Sequence, residues 1–98
     1  MIGVFVTFAY VNDFDEQALL QIAETARPLF ENMPGLRSKA FTVNTAEREA
    51  KNFYVWDSDQ AARAYFTDEM VARLAEIYGA TPRIEFVQVM ALIDNAHA

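Results

Sequence analysis

The residues with the clearest chemical potential are polar aromatic side chains near the middle of the sequence. Tyr54 and Trp56 are two positions apart, so on a β-strand both side chains point to one face. Tyr65 falls on the apolar stripe of the helix predicted after that strand. Each side chain carries one polar group that needs a hydrogen-bond partner when buried. Together they could line an apolar pocket with a few polar contacts, or they could be ordinary core residues.

The usual catalytic groups are scarce in this sequence. The chain has no cysteine, and its one histidine, His97, is the penultimate residue. A thiol nucleophile is therefore excluded, and a Ser–His–Asp arrangement would depend on a residue at the very terminus. The three glycines are far apart, so there is no glycine-rich phosphate loop. We expect neither a metal ion nor a bound organic cofactor.

The charge balance argues against nucleic acid as a partner. The chain has 8 basic and 14 acidic residues, which gives a formal net charge of -6. Arg37, Lys39, Arg63 and Arg73 are interpreted as solvated charges. The segment 51–56 loosely echoes an RNA-recognition strand but lacks its glycines. No apolar run is long enough to span a membrane, and we expect a cytoplasmic protein.

Hydrophobic periodicity predicts the elements in the first half of the chain. Ile2–Val11 alternates with apolar residues on both faces, which is typical of a strand buried on both sides. Asp13 and Glu16 predict a capping box at the start of a helix, which Pro28 should kink or restart. Leu36–Val43 is the second predicted strand, with Arg37 and Lys39 on one face.

The second half repeats the pattern. A polar loop over Asn44–Asn52 is followed by a short, central third strand over Phe53–Trp56. One helix is expected to start after Asp57 or Ser58 and to end at Gly79. The last predicted strand is Arg83–Ile93.

This order of elements predicts a single α+β domain over residues 1–98 with a ferredoxin-like βαββαβ fold. Both helices should cover one face of an antiparallel sheet. The first and last strands are apolar on both faces, so the uncovered face would expose a large apolar patch. A second copy of the chain would bury that patch, and we therefore expect a homodimer.

Several short runs spread along the chain have a familiar order. They are Phe8-Ala9-Tyr10, Arg27-Pro28-Leu29, Pro34-Gly35-Leu36 with Lys39, and Tyr54-Val55-Trp56 followed by Ala61, Ala64 and Tyr65. Together they resemble the YdhR-like mono-oxygenases, a branch of the dimeric α/β-barrel group that includes antibiotic-biosynthesis mono-oxygenases.

The resemblance implies a homodimeric barrel that oxidises a phenol- or quinol-type aromatic without metal or flavin. Trp56 matches the Trp that relatives use on the third strand, and Asn12 is the candidate for their pocket Asn. With Tyr10, Tyr54 and Tyr65, these are the expected substrate-binding residues.

No catalytic residue is assigned, and the only bases considered are a carboxylate such as Glu85 and the acidity of the substrate itself. The same scaffold also serves isomerases and non-catalytic ligand-binding or stress-related proteins, and both remain open.

Overall fold

The computed structural model describes residues 1–95 and contains one four-stranded sheet. The strands are β1 (Ile2–Ala9), β2 (Leu36–Asn44), β3 (Glu49–Trp56) and β4 (Arg83–Gln88). Their order across the sheet is β2-β3-β1-β4, and every neighbouring pair is antiparallel. The predicted ferredoxin-like α+β fold is confirmed, with β1 and β3 at the centre. His97 lies outside the described residues.

Three helices cover one face of this sheet. They are α1 (Glu16–Phe30), α2 (Asp59–Tyr65) and α3 (Asp68–Tyr78). Each helix contributes a buried residue to a common core with the central strands, and these residues are Leu19, Ala62 and Leu74. On the strand side the core contains Val4, Val6 and Phe8 of β1, all fully buried. Because side chains alternate along a strand, the odd-numbered residues of β1 face away from the helices.

The prediction of one second helix is wrong, because the segment forms two helices. Ser58, not Asp57, caps α2, and α2 ends at Tyr65. Thr67 then caps α3, since its hydroxyl accepts a hydrogen bond from the backbone N–H of Met70. Threonine is a favoured N-cap residue, and its local hydrogen bond competes with a continuous helix. The break directs the ring of Phe66 onto the aromatic residues of β3.

Several further details of the elements differ from the sequence-based expectation. Asp15, not Asp13, caps α1, because its carboxylate accepts from two backbone N–H groups of the first turn. Pro28 sits inside the last turn of α1 and does not restart it. The predicted loop over Asn44–Asn52 is mostly strand, and only residues 45–48 form the turn. The first and last strands are also shorter than predicted, since β1 ends at Ala9 and β4 ends at Gln88.

An irregularity in β2 changes the face on which its side chains lie. Leu36 pairs with Trp56, whereas Lys39 pairs with Tyr54, so three steps on β2 match two steps on β3. The extra residue is a β-bulge, which reverses the alternation beyond it. Arg37 is exposed, and Lys39 points to the helices with Leu36. The expectation that Arg37 and Lys39 share a face is therefore wrong.

The face of the sheet opposite the helices is partly apolar, and no helix formed by residues 1–95 covers it. The rings of Phe5 and Phe53 lie 4.6 Å apart there, and Val87 is half-buried beside them. Gly3 permits this packing, because a Cβ at that position would lie 3.0 Å from side-chain atoms of both Phe53 and Val87. We call Phe5, Phe53 and Val87 the open-face cluster. The homodimer expected from such a surface remains a prediction.

Within residues 1–95, none of the helices is long and apolar enough to cross a lipid bilayer.

We expect Thr67→Ala to lower the free energy of unfolding by about 1 kcal/mol, because the first turn of α3 loses its cap. Thr67→Ser keeps a hydroxyl at the same position and should retain most of the stability. Urea unfolding monitored by far-UV circular dichroism measures the difference. Equal losses in both variants would contradict the capping role.

Candidate functional site

Two adjoining clefts lie between α1 and the edge strand β2. Their volumes are about 570 Å³ and about 310 Å³. Three residues line both clefts, namely Leu20, Ala23 and Phe41. We call the two clefts together the α1–β2 groove. Lys39 lines the larger cleft, whereas Asn52 and Tyr78 line the smaller one.

The floor of this groove is set by the register between β2 and β3. Lys39 is opposite Tyr54, and Phe41 is opposite Asn52. Residues directly opposite each other in an antiparallel pair lie on the same face, so all four side chains point toward the helices. The β2 bulge is what brings Lys39 and Phe41 to this face. The groove therefore has an amine and an amide on its floor, separated by an aromatic ring.

The amine of Lys39 sits in an aromatic surrounding. Its Nζ atom donates a hydrogen bond to the hydroxyl oxygen of Tyr54 at 2.9 Å. The same atom lies 3.4 Å from the ring centroid of Phe30 and 4.2 Å from those of Phe41 and Tyr54. Burial lowers the pKa of Lys39 to about 7, because water no longer solvates the charge. The ring faces act in the opposite direction and favour the ammonium form.

Tyr54 connects this lysine to the aromatic cluster under α2. Burial raises the pKa of Tyr54 well above its usual range, and the neighbouring Tyr65 adds to this rise through its charge and a side-chain hydrogen bond. Burial likewise raises the pKa of Tyr65, although the hydrogen bond from Tyr54 lowers it. Tyr54 is therefore a neutral phenol that accepts a hydrogen bond from Lys39 and packs beside Tyr65.

Asn52 is the buried polar residue on the floor of the smaller cleft. It is only 2% exposed, and its amide nitrogen donates to the hydroxyl of Tyr78 at 3.0 Å. The ring of Tyr78 stacks on Phe8 with centroids 3.9 Å apart. Burial raises the pKa of Tyr78, while its bond with Asn52 lowers it. The stacked ring of Tyr78 therefore fixes the position of its hydroxyl, and this hydroxyl orients the amide of Asn52.

The structure brings together three of the residues singled out in the sequence. The ring of Trp56 lies 6.0 Å from Tyr54 and 5.3 Å from Tyr65, measured between centroids. Phe66 and Phe30 complete the cluster. Trp56 is 2% exposed, and its indole Nε1 is buried with no hydrogen-bond partner among residues 1–95. An unpaired buried donor is costly, so this atom is where an acceptor would be favourable.

Trp56, Tyr54 and Tyr65 do not line either cleft. The groove lies between α1 and β2, whereas these three aromatic residues cluster beside α2. Tyr54 reaches the groove indirectly, through its hydrogen bond with Lys39. The binding role of Trp56 and Tyr65 stays a prediction.

The remaining candidates lie elsewhere. Tyr10 follows the end of β1, and its hydroxyl donates to the backbone carbonyl of Tyr78 at 2.7 Å. Asn12 is exposed in the bend after β1. Glu85 is also exposed and pairs with Phe5 in the sheet, so it belongs to the face opposite the helices. Glu85 therefore does not line the groove, and its suggested role as a base stays a prediction.

Sequence reasoning missed Lys39 and Asn52 as site residues. Lys39 was treated as a solvated charge because simple alternation from Leu36 places it outside, and a bulge cannot be read from that pattern. Asn52 was assigned to a loop. Its signal was present, since Ala50, Asn52, Tyr54 and Trp56 form one alternating set on the buried face of β3. A polar amide inside such a set indicates a satisfied buried group with a specific role.

Over the described part of the chain, no group of three or more His, Cys, Asp or Glu residues could hold a metal ion.

The fold and the groove define a ferredoxin-like α+β protein with space for a small molecule between its sheet and its first helix. The model of the family described as "Putative mono-oxygenase ydhR" matches residues 4–91. The chain therefore belongs to the ydhR mono-oxygenase family.

Solved structures with the same fold include three informative cases. The NE2512 protein of unknown function from Nitrosomonas europaea is 19% identical, with a TM-score of 0.74 over 98% of this chain and 95% of that one. The ActVA-Orf6 mono-oxygenase of Streptomyces coelicolor, solved with nanaomycin D, is 22% identical, with a TM-score of 0.70 over 97% and 92%. A variant of SnoaB, a cofactor-independent oxygenase from Streptomyces nogalater, is 14% identical, with a TM-score of 0.65 over 94% and 95%. No curated protein sequence matches the chain.

We expect Tyr78→Phe to lower the free energy of unfolding by about 1–3 kcal/mol, because the buried amide of Asn52 loses its acceptor. The matched control is Tyr10→Phe, which removes a half-buried hydroxyl and should cost less, about 0.5–1.5 kcal/mol. Urea unfolding of both variants measures the two losses. A larger loss for Tyr10→Phe would contradict the role of the Asn52–Tyr78 bond.

Proposed function

We propose that this protein is a mono-oxygenase that oxidises a small phenol- or quinol-type aromatic with O₂, without metal or flavin. The α1–β2 groove carries this proposal. It has the volume typical of small-molecule sites. The smaller cleft is mainly apolar with Asn52 on its floor, and the larger cleft combines Phe30 and Phe41 with Lys39 and several charged side chains of α1 and β2. Membership of a mono-oxygenase family and the nanaomycin D complex of a protein with the same fold support it further.

The proposed reaction needs no external reductant. A phenol with an unsubstituted ring position and one O₂ give a quinone and one water. One oxygen atom replaces hydrogen on the ring carbon, the other leaves as water, and the substrate supplies all the electrons. A phenol gives up electrons more readily after it loses its hydroxyl proton. Groups that stabilise the resulting anion therefore lower the barrier.

The groove offers suitable groups for such a substrate. The amide of Asn52 and the amine of Lys39 can each form a hydrogen bond with a ligand oxygen, while Phe41 lies between them and can pack on the ring. Tyr54 acts through Lys39, and Tyr10 acts through Tyr78.

The other proposed binding residues rest on different arguments. Trp56 offers the unpaired indole N–H, and Tyr65 shares its ring cluster. Asn12 is supported by the sequence argument alone.

Oxygen consumption with a panel of naphthols, anthrones and fused-ring quinols tests the proposal. The protein should be free of stoichiometric metal, haem and flavin, and the buffer should contain a chelator. We expect O₂ uptake to match phenol consumption one to one, with a quinone as product. Asn52→Ala should lower kcat/KM several-fold, because a ligand hydrogen bond is lost.

The outcomes that contradict the oxygenase are specific. Ligand binding without O₂ uptake would indicate a non-catalytic binding protein, and an isomeric product without O₂ uptake would indicate an isomerase. A cofactor present at one per chain would contradict the cofactor-free reaction.

Trp56→Phe tests the indole separately. This change keeps most of the apolar volume and removes the unpaired donor. If the indole donates to the ligand, turnover or affinity should fall several-fold with little loss of stability. A loss of stability with unchanged ligand binding would make Trp56 a core residue only. Trp56 is the one tryptophan in the chain, so quenching of its emission by ligand is a direct readout.

The proposed assembly is a homodimer that packs two sheets through the open-face cluster. Light scattering at micromolar concentration should give about twice the chain mass of 11.1 kDa. Phe53→Asp should give monomer or aggregate, because a charge would be buried without a partner. Ala46→Asp, in the exposed turn between β2 and β3, is the control and should not change the mass. A stable wild-type monomer would overturn the dimer.

A further inference from the structure

The amine of Lys39 has features that a solvated surface charge would not have. It lies on the floor of the α1–β2 groove, its Nζ contacts three aromatic rings, and its one hydroxyl partner belongs to Tyr54. These neighbours carry no negative charge. The site therefore lacks, among these contacts, the carboxylate that usually keeps a lysine protonated.

We propose that the Lys39 amine is the base that accepts the hydroxyl proton of the phenolic substrate, so that an ammonium–phenolate pair forms in the groove. This inference rests on the proposed function and identifies the residue that begins the proposed reaction. The phenol O–H bond breaks, an N–H bond forms at Nζ, and the electron pair stays on the phenolate oxygen. The proton leaves later with the water that O₂ yields.

The environment suits both states of this base. Burial keeps much of the amine neutral near neutral pH, so its lone pair is available before the substrate reacts. After proton transfer, the faces of Phe30, Phe41 and Tyr54 stabilise the ammonium. The new phenolate is then a negatively charged partner, which the hydroxyl and ring contacts of the amine do not include. The Lys39 ammonium formed in this way also stabilises the phenolate, which is the species that O₂ must oxidise.

Other charged groups face the same cleft and could influence this titration. From α1 and the turn after it they are Glu24, Arg27 and Glu31, and from β2 the group is Arg37. From β3 the titratable neighbour is Tyr54, which in turn contacts Tyr65 of α2. Two carboxylates and two guanidiniums roughly balance, and Arg37 pairs with Asp57 at 3.2 Å. Burial is therefore the main influence on the amine.

The position of Asn52 fits the same substrate pose. The pair Lys39–Tyr54 and the pair Phe41–Asn52 are adjacent on one face, and so lie about 7 Å apart along the strands. A ring packed on Phe41 could place one oxygen near Lys39 and another near Asn52. Tyr54 is a positioning residue here, because it holds the amine and does not line the groove.

Three substitutions separate a base from a mere charge or a structural residue. Lys39→Met fills the aromatic surrounding without an amine, Lys39→Gln keeps a polar group, and Lys39→Arg keeps the charge but cannot act as a base near neutral pH. For wild type, kcat/KM should rise through a pKa of about 7 and then level off, because the neutral amine is the active form. In all three variants this rise of kcat/KM with pH should be absent. Their kcat/KM should be about 10²–10⁴-fold lower than that of wild type.

The loss should depend on the substrate and on pH. More acidic phenols ionise without help, so they should lose less, and activity of the variants should recover as pH approaches the pKa of the substrate. Urea unfolding confirms that each variant is folded. If Lys39→Arg keeps most of the activity, or if the variants keep the wild-type pH profile, Lys39 is not the base.

A second measurement works without O₂ and separates this inference from the oxygenase itself. Under nitrogen at a pH slightly above neutral, 2-naphthol bound to wild type should show the red-shifted absorption of the naphtholate, and 2-naphthol bound to Lys39→Met should not. Naphtholate formation without later O₂ uptake would support the base and contradict the oxygenase. O₂ uptake with naphthol bound as the neutral phenol, or no binding of 2-naphthol, would overturn the base.

Discussion

The pairing of β2 with β3 is the constraint on which the candidate site depends. Between Leu36 and Lys39 the edge strand contains one residue more than β3 does between Trp56 and Tyr54. This bulge reverses the alternation of β2 and turns an amine toward the helices. Without it, Lys39 would lie on the face opposite the helices, away from the groove, and Tyr54 would lose its hydrogen bond from the amine. Bulges often direct a side chain in this way beside functional sites.

The parts of the fold that follow from simple periodicity could be predicted from the sequence. The parts that depend on a local hydrogen bond overriding that periodicity could not. The two-sided apolar pattern of β1 and the order of elements were sufficient for the ferredoxin-like topology. The break at Phe66 was not visible, because the apolar stripe continues through it, and only the hydroxyl of Thr67 favours a new start. The first half of β3 was hidden by the polarity of Glu49, Lys51 and Asn52, although two of these face outward and one is a hydrogen-bonded core amide.

The candidate site shows the same division. The ring cluster of Tyr54, Trp56 and Tyr65 could be assembled from strand and helix spacing alone, and the structure brings these residues together. The groove could not be predicted from the sequence, because its position depends on the distance between α1 and the edge strand β2. The cluster supplies a rigid support behind the groove, and the Tyr54 hydroxyl links it to the Lys39 amine. Function in this scaffold is then a property of a few side chains and not of the fold itself.

Gly3 has a consequence for how this fold can vary among relatives. Its missing side chain is occupied by Phe53 of one neighbouring strand and Val87 of the other, at contact distance. The three positions therefore share one fixed volume across β3, β1 and β4. A relative with alanine or a larger residue at the glycine position should carry a smaller side chain at one of the other two. Such compensating substitutions would appear as covariation between positions far apart in sequence. This covariation would identify neighbouring strands more clearly than the hydrophobic pattern does.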